Sequence, residues 1–170
     1  LQVGVYFGDS GKALGETVDA GAVSPGMSCT ADLSKVVGKR VAFTSEGSTS
    51  GYIYPALQLV RAGIDPETDI IPIFSGSHDA SVAAVYNGDA DIGIAYDDAR
   101  RTMRKTNPDV GGKVIVFNIT GEIPNDVVVA SSLLPDSLQT AVYNAISAYL
   151  MTDEGEAAFD DMYGWTNIRR

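Results

Sequence analysis

Short apolar runs alternate along this chain with stretches in which apolar residues recur every three or four positions. The apolar runs, rich in β-branched residues, predict strands at 1–7, 39–44, 69–76, 91–96, 113–119 and 125–131. The helical spacings lie between and after them, at residues following 48, at 77–88, at 97–105, after 135 and at 152–164. Alternating strands and helices predict an α/β fold, a three-layer sandwich around a mixed, mainly parallel sheet.

Capping signals place the ends of the two best-defined helices. The first is predicted from apolar residues at helical spacing, Ile53, Ala56, Leu57 and Val60. Gly63 is suited to end it. The second helix begins at Ser77 or Asp79 and ends at Asn87-Gly88. Pro72 within the run 69–76 favours an edge position or a strand start, because proline has no amide proton for the sheet.

Length, charge and residue counts exclude several classes of function. The chain has 170 residues and is 45% hydrophobic, which is enough for a buried core. Its net charge of −10 disfavours nucleic-acid binding. The basic cluster at 100–105 is expected to be a solvated helix face, and no apolar run is long enough to span a membrane.

The counts of cysteine and histidine also limit the chemistry. Cys29 is the only cysteine, so no intrachain disulfide is possible, and we expect it to be inert. His78 is the only histidine, and neither CxxC nor HExxH occurs. The sequence therefore predicts no metal site and no cofactor.

The stretch SEGSTSGYIYP at 45–55 places three hydroxyl residues, Ser48, Thr49 and Ser50, between a predicted strand and a predicted helix. A helix N-terminus has unpaired amide groups and a positive dipole end, which together favour an anion. The stretch contains no Lys or Arg, so a nucleotide P-loop is not indicated. Two interpretations remain: an oxyanion site built from neutral donors, or a simple helix cap with the other hydroxyls in water.

Polar residues gather at three further turns that follow strands. His78 lies in SGSHDA, at a strand-to-helix turn, where it either donates to an oxyanion or is a structural histidine at a cap. Tyr96 and the acidic pair Asp97 and Asp98 end the strand 91–96, and one aspartate suits a helix cap. Asp126 in the turn IPND is a further candidate that is equally suited to a structural turn role.

A catalytic interpretation of these residues is also possible. A Ser/His/Asp set would combine Ser48 or Ser50 with His78 and Asp98. The serines lack the GxSxG pattern of a nucleophile elbow, however, and nothing else marks a nucleophile. Binding is therefore favoured over catalysis, and an α/β hydrolase acting on phosphoesters stays as an alternative.

Three separated motifs together resemble one family. VGKRVAFTSEGSTSGYIYPALQLVRAGIDPETD, FSGSHDASVAAVYNGDADIGIAYDDA and IPNDVVVASSLLPD occur in order. In this order the sequence is similar to the phosphate, phosphite and phosphonate substrate-binding proteins of ABC transporters. The resemblance covers residues 32 to about 165. It implies one lobe of a type II periplasmic-binding-protein fold, and it implies a binding protein that is not an enzyme.

The resemblance also implies roles for the candidate residues. The hydroxyls at 48–50 would hold the phosphorus oxyanion, and His78 would add a donor. Asp98 and Asp126 would lie near the distal end of the ligand, where they would accept from an amine or a P–OH group. The assignments of Tyr96 and Asp97 are weaker, because their side chains could point away from the ligand.

In this interpretation residues 1–170 form a single α/β lobe. It comprises a long loop at 9–32, the core of the ligand-binding lobe at 33–131 and a helical return segment at 132–170, and a first lobe of the family is absent. The strands 1–7 and 125–131 would be neighbouring crossover strands. The expected partner is the permease of an ABC importer, and the expected location is the periplasm or the outside of the cell, with a lipid anchor as one option. A ligand-sensing module of a signalling protein remains the second alternative.

Overall fold

The computed structural model describes residues 4–9, 31–124, 127 and 129–163. The chain divides into two compact units, Leu1–Asn125 and Asp126–Arg170. The predicted loop 9–32 lies almost wholly outside the described residues, as do Cys29 and Asp126.

The first unit alternates strands and helices as the sequence predicts. Its strands are β1 Gly4–Asp9, β2 Arg40–Phe43, β3 Ile71–Phe74, β4 Ile92–Tyr96 and β5 Val114–Ile119. Its helices are α1 Tyr54–Arg61, α2 His78–Asn87, α3 Arg100–Met103 and α4 Val110–Lys113. A 3₁₀ turn forms at Leu33–Val36, and a π-helical turn at Thr49–Ile53 leads directly into α1.

The five strands form one mixed sheet in the order β3-β2-β4-β1-β5. β2 is parallel to both β3 and β4, whereas β1 is antiparallel to β4 and β5. Four strands therefore run in one direction and only β1 runs against them. The α/β class with a mixed, mainly parallel sheet is confirmed, and Pro72 does lie in the edge strand β3.

Hydrophobic clusters cover both faces of this sheet, because successive strand residues point to opposite sides. Val5 and Phe7 of β1 pack into a cluster with α2, where Val82 and Val85 are buried. Tyr6, between them, packs into a second cluster that contains Leu59 of α1. The sheet therefore lies between two helical layers, which is the predicted three-layer arrangement.

The helix α1 forms where predicted, but of the four apolar residues whose spacing predicted it only Ala56 is buried. Pro55, Ala56 and Leu59 are its buried residues. Three further apolar residues are substantially exposed, namely Ile53 at 45%, Leu57 at 42% and Val60 at 55%. The helical spacing correctly predicted a helix here. Because apolar residues occupy two faces of this helix, however, the spacing did not identify which face is buried.

Both ends of α2 agree with the capping signals. The Ser77 side chain accepts a hydrogen bond from the amide of Ala80 at 3.1 Å, so Ser77 and not Asp79 is the N-cap. Gly88 ends the helix with φ of 83°, a left-handed conformation that glycine adopts without a steric penalty.

The prediction of a strand at 125–131 is wrong for those residues of the segment that the structure describes. Of this segment the structure describes 127 and 129–131, and none of them lies in a strand. The two neighbours of β1 in the sheet are β4 and β5, so β1 does not pair with the predicted crossover strand. The run of valines is typical of a strand, but the residues from Asp126 onward belong to the second unit.

The basic cluster at 100–105 is not simply a solvated face. Arg100 is fully buried, and its Nε donates to Oδ1 of the buried Asp98 at 2.8 Å. Its Nη1 also donates to the carbonyl of Val114 at the start of β5, and its guanidinium lies 5.4 Å from the ring centroid of Phe7. Arg104 adds a second ion pair to Asp98 at 3.0 Å. A sequence pattern does not show that pairing with a carboxylate two residues away offsets the desolvation cost of burying an arginine.

The second unit contains α5 Asp136–Leu150 and α6 Asp153–Tyr163, close to the predicted helices. Its helix α5 has no buried residue, and Leu138, Val142 and Tyr149 are exposed. Thr152 precedes α6, and its Oγ1 accepts from the amide of Gly155 at 3.1 Å, as the predicted cap would.

Substituting Asp98 should test the buried ion pair. Asp98→Asn removes the charge that compensates Arg100, and we expect a loss of about 3 kcal/mol in the free energy of unfolding. Urea denaturation followed by circular dichroism measures it. Arg104→Met is the control, because Arg104 is partly exposed and the pair to Arg100 survives; its expected cost is below about 1 kcal/mol. Equal costs for the two variants would contradict this account.

Candidate functional site

The polar turns that follow β3, β2 and β4 meet where these strands end, because the three strands are adjacent and parallel. This carboxyl end of the strands is called one edge of the sheet below. The main chain joins two of these turns directly. The amide of Ser75, just after β3, donates to the carbonyl of Phe43 at 2.9 Å, and that of Gly76 donates to the carbonyl of Thr44 at 2.8 Å. Ligands of open α/β sheets bind at such carboxyl ends of strands.

The turn at 48–50 provides unpaired amide groups at the start of a helix. The Ser48 hydroxyl accepts from the amide of Gly51 at 3.1 Å, so Ser48 is the cap that the simpler interpretation required. Among the residues that the structure describes, no acceptor is assigned to the amides of Thr49 and Ser50. The π-helical turn and α1 continue without interruption to Arg61, so the positive end of a long helix dipole lies here.

The side chains of this turn differ in their surroundings. Thr49 is exposed, whereas Ser50 is only 6% exposed and its hydroxyl has no hydrogen-bond partner within the described part of the chain. The Ser50 hydroxyl is not among the fully buried side-chain oxygens that lack a partner, so water or a ligand can reach it. Thr49 and Ser50 are therefore available to a ligand, and Ser48 is already engaged as a cap.

Gly51 allows the turn to fold tightly against the end of β2. Its carbonyl accepts from the amide of Thr44 at 3.3 Å. A Cβ at this position would overlap Thr44 Oγ1 and would lie 2.6 Å from Thr44 Cγ2 and 2.9 Å from Ser48 Oγ. Thr44 is buried, and its hydroxyl has no partner within the described residues. Sequence reasoning missed Thr44, although a hydroxyl residue that ends a strand beside a glycine-rich turn was visible.

His78 is held in one orientation by Tyr96. Its Nδ1 accepts from the main-chain amide of Tyr96 at 3.0 Å, and the two rings meet edge to face at a centroid distance of 4.6 Å. An accepting Nδ1 places the ring proton of the neutral imidazole on Nε2, which is then a donor. Partial burial lowers the pKa of His78 below 6.5, against a weaker opposing effect of Asp79. His78 is thus a neutral donor at pH 7.

Gly4 of β1 brings the turn and the end of β4 together. Gly4 pairs with Tyr96 in the sheet. A Cβ at Gly4 would lie 2.7 Å from the carbonyl oxygen of Ser50, so the two backbones are in close contact. The structure therefore joins Ser50, Tyr96 and His78 at one edge, as their positions after strands suggested.

The two aspartates after Tyr96 differ sharply. Asp98 is fully buried and its two carboxylate oxygens accept from Arg100 and Arg104. A ligand role for Asp98 remains a prediction, and it would require this carboxylate to leave two guanidinium groups. Asp97 is partly buried, and its Oδ1 is buried without a partner among the described residues. Burial raises the pKa of Asp97; Arg101 opposes this shift and Asp98 adds to it.

Two searches of the described residues gave negative results. No group of three or more potential metal-ligating side chains occurs among them. None of the helices described combines the length and the apolar character that crossing a bilayer requires. Asp126, the last candidate, lies outside the described residues.

A family model described as "ABC transporter, phosphonate, periplasmic substrate-binding protein" matches residues 17–170. Over 72 residues the chain is 44% identical to the phosphate-import protein PhnD of Mycolicibacterium smegmatis, covering 38% of this chain and 22% of that protein. It is also similar to the structure of PhnD1 from Prochlorococcus marinus in complex with methylphosphonate. That similarity has 28% identity and a TM-score of 0.54, over 70% of this chain and 41% of the other.

A further solved structure shows the fold alone. It is a binding protein component of an ABC phosphonate transporter from Pseudomonas aeruginosa, with 17% identity and a TM-score of 0.70. The similarity covers 98% of this chain and 51% of that one. The fold is that of one lobe of a type II periplasmic-binding protein, and the chain spans about half the length of the solved structure that it matches.

Adding a methyl group at Gly51 should disturb the turn. Gly51→Ala places a Cβ against Thr44 and Ser48, and we expect a loss of about 1–3 kcal/mol in unfolding free energy. Gly47→Ala is the matched control, because nothing lies near a Cβ there; its expected effect is within about 0.5 kcal/mol. Urea denaturation of both variants gives the comparison, and a fully stable Gly51→Ala protein would contradict the close packing.

The state of His78 can be measured directly, because the chain has one histidine. Long-range ¹H–¹⁵N NMR should show a proton on Nε2 at pH 7 and a pKa below 6.5. Since the folded-state pKa is lowered, the unfolded chain takes up a proton first. The contribution of His78 to stability is therefore complete above pH 6.5 and is lost as the pH falls through the folded-state pKa. A proton on Nδ1, or a raised pKa, would contradict the hydrogen bond to Tyr96.

Proposed function

Because the chain belongs to the phosphonate family of periplasmic substrate-binding proteins of ABC transporters, we propose that it captures a phosphorus oxyanion at the helix N-terminus formed by residues 48–50. The ligand is a phosphonate, phosphite or phosphate, and the partner is the permease of an ABC importer. The place of action is the periplasm, which the family description names.

One observation carries this proposal: two consecutive amides and the hydroxyl of a largely buried serine have no assigned partner among the described residues. They belong to Thr49 and Ser50 and lie at the positive end of the helix that runs to Arg61. Hydrogen bonds from neutral groups to an anion are shorter and stronger than bonds between neutral groups. A tetrahedral oxyanion offers several acceptor oxygens to such a set.

His78 and the exposed Thr49 hydroxyl complete the donor set. The neutral His78 has Nε2–H available, because Nδ1 is engaged by Tyr96. No Lys or Arg lies within residues 44–54. An anion that binds here is held by dipoles and hydrogen bonds, and this favours a small ligand whose charge is spread over its oxygens.

The relatives support a class of ligand rather than one compound. The M. smegmatis protein is named for phosphate import, and the P. marinus protein was crystallised with methylphosphonate. Both ligands present a tetrahedral PO₃ or PO₄ group, which is the part that residues 48–50 would bind. Asp126 remains a proposed acceptor near the distal end of the ligand.

The relatives are transport proteins and not enzymes, so the hydrolase interpretation is not retained. The hydroxyls of Ser48 and Ser50 also lack an activating base. The one imidazole in the chain, His78, already accepts a hydrogen bond from the main-chain amide of Tyr96 through Nδ1. Neither serine is assigned a hydrogen bond to His78 within the described residues.

Removing single hydrogen-bond donors should weaken the binding of phosphorus oxyanions by the full gene product. Thr49→Ala and Ser50→Ala should each cost about 1–3 kcal/mol in binding free energy, because each loses a hydrogen bond to a charged group. Isothermal titration calorimetry with phosphate, phosphite and methylphosphonate measures the change. Ser34→Ala is the matched control, since Ser34 lies before β2, outside the turn at 48–50, and its hydroxyl donates to Asp32. Unchanged dissociation constants in both site variants would remove the assignment.

A further inference from the structure

We propose that Thr44 is a positioning residue of the anion site, and that it directs the hydroxyl proton of Ser48 towards the bound oxyanion. In the bound protein the Thr44 hydroxyl donates to Ser48 Oγ. This inference rests on the proposed function, and it adds to that site a residue that lies outside the turn at 48–50.

The unpartnered hydroxyl of Thr44 is the first argument. Thr44 directly follows β2 and is only 3% exposed. Its Oγ1 is buried and has no hydrogen-bond partner among the described residues. Burying a hydroxyl in this state costs free energy, because the group loses its bonds to water and gains none in return. Proteins retain such costs chiefly at functional sites, so this hydroxyl calls for a partner in another state of the protein.

Other buried hydroxyls of the same sheet layer are paired. Ser81 is fully buried, and its Oγ donates to the carbonyl of Ala42 at 2.7 Å. Thr120 is 7% exposed, and its Oγ1 accepts from the amide of Gly4 at 2.8 Å. These two hydroxyls hold the fold together. Thr44 differs from them, because its hydroxyl contributes no hydrogen bond to the fold within the described part of the chain.

The position of Thr44 against the turn is the second argument. Its amide donates to the carbonyl of Gly51 at 3.3 Å. A Cβ at Gly51 would overlap Thr44 Oγ1 and would lie 2.9 Å from Ser48 Oγ. Both hydroxyl oxygens therefore approach the same point, which is open because residue 51 has no side chain. No hydrogen bond joins them in the described residues, so a small shift of either side chain is needed to form one.

Ser48 has the capacity for this bond. A hydroxyl carries one proton and accepts up to two hydrogen bonds. The amide of Gly51 occupies one acceptor position of Ser48 Oγ at 3.1 Å, and Thr44 would occupy the other. The Ser48 proton must then point away from both donors. Ser48 is partly exposed and precedes the free amides of Thr49 and Ser50, so an anion held by these amides accepts that proton. Hydroxyls in a chain also polarise one another, which strengthens the terminal donor.

This role predicts opposite effects on stability and on binding. In the free protein the Thr44 hydroxyl is buried without a partner, and removing it relieves that cost. In the bound protein it donates to Ser48, and removing it loses a hydrogen bond. A hydroxyl with a purely structural role behaves in the reverse way, since its removal lowers stability. The sign of the stability change therefore distinguishes the two roles.

The test compares two substitutions at position 44 in the full gene product. Thr44→Val replaces the hydroxyl with a methyl group, and Thr44→Ser keeps the hydroxyl. Calorimetry with phosphate, phosphite and methylphosphonate gives the dissociation constants, and urea denaturation gives the midpoint of unfolding. Thr120→Val is the matched control for stability, because it removes a buried hydroxyl that is paired at both ends. Its urea midpoint should fall.

The expected result for Thr44→Val is weaker binding without a loss of stability. All three ligands should bind about 5-fold more weakly or worse, because they share the tetrahedral oxyanion group that Ser48 contacts. The urea midpoint should be unchanged or higher. Thr44→Ser should restore the wild-type dissociation constants. Unchanged binding by Thr44→Val, a fall of its midpoint as large as that of Thr120→Val, or a failure of Thr44→Ser to restore binding would overturn the assignment.

A double substitution tests the route through Ser48. If Thr44 acts by directing the Ser48 proton, Thr44→Val should add little to the weakening that Ser48→Ala causes alone. The full separate factor in the double variant would refute this route. Circular dichroism of each variant verifies that the fold is retained.

A separate variant distinguishes this inference from the proposed function. If Thr49→Ala weakens every ligand while Thr44→Val weakens none, the oxyanion site stands and the role of Thr44 is refuted. If the wild-type protein binds none of the three ligands, the proposed function fails and Thr44 has no such role.

Discussion

The arrangement of the site depends on backbone packing where β2 ends. The chain leaves β2 at Thr44, makes the turn of residues 45–50 and returns so closely that the amide of Thr44 donates to the carbonyl of Gly51. A side chain at position 51 would force Thr44 or Ser48 to move, because a Cβ there would overlap Thr44. Main-chain bonds from Ser75 and Gly76 attach the end of β3 to the same place. The amides that would bind an anion are thus fixed by hydrogen bonds and sterics before any ligand arrives.

The buried ion pair completes this framework on the other side of β2. Asp98 and Arg100 connect the end of β4 to the start of β5, through the bond from Arg100 to the carbonyl of Val114. That connection fixes the path of the chain immediately after Tyr96, and hence the position of Asp97. One aspartate is occupied in holding the backbone, whereas Oδ1 of the adjacent one is buried without a partner among the described residues. Two identical residues in sequence therefore have different surroundings.

Local signals in the sequence predicted most of the fold. Ser77 and Gly88 defined α2 because caps are read from single residues, and the short β-branched runs gave all five strands of the sheet. The failures arose where tertiary context decides. The valines near 125–131 have strand propensity without a strand partner among the described residues, and α1 has apolar residues on two faces. Burial of Arg100 depends on Asp98 and on β5, which no local pattern contains.

The same distinction applies to the candidate residues. The positions of Ser50, His78 and Tyr96 after neighbouring strands were sufficient to predict that they meet at one edge, since parallel strands align their carboxyl ends. The difference between Asp97 and Asp98 could not be predicted, because "DD" in the sequence does not show which carboxylate the arginines occupy. Hydrogen-bond satisfaction is a property of the packed structure.

Net charge also affects which anions approach such a site. A chain with a net charge of −10 repels anions at long range, and a dianion is repelled more than a monoanion or a zwitterion. The dipole of the helix that starts at Thr49 acts only within its first turn, so it stabilises a bound anion but does not attract one at long range. A ligand that retains one proton, or that adds an ammonium, lowers this long-range cost. The net charge of the chain and the short range of the helix dipole therefore both disfavour a dianion during its approach.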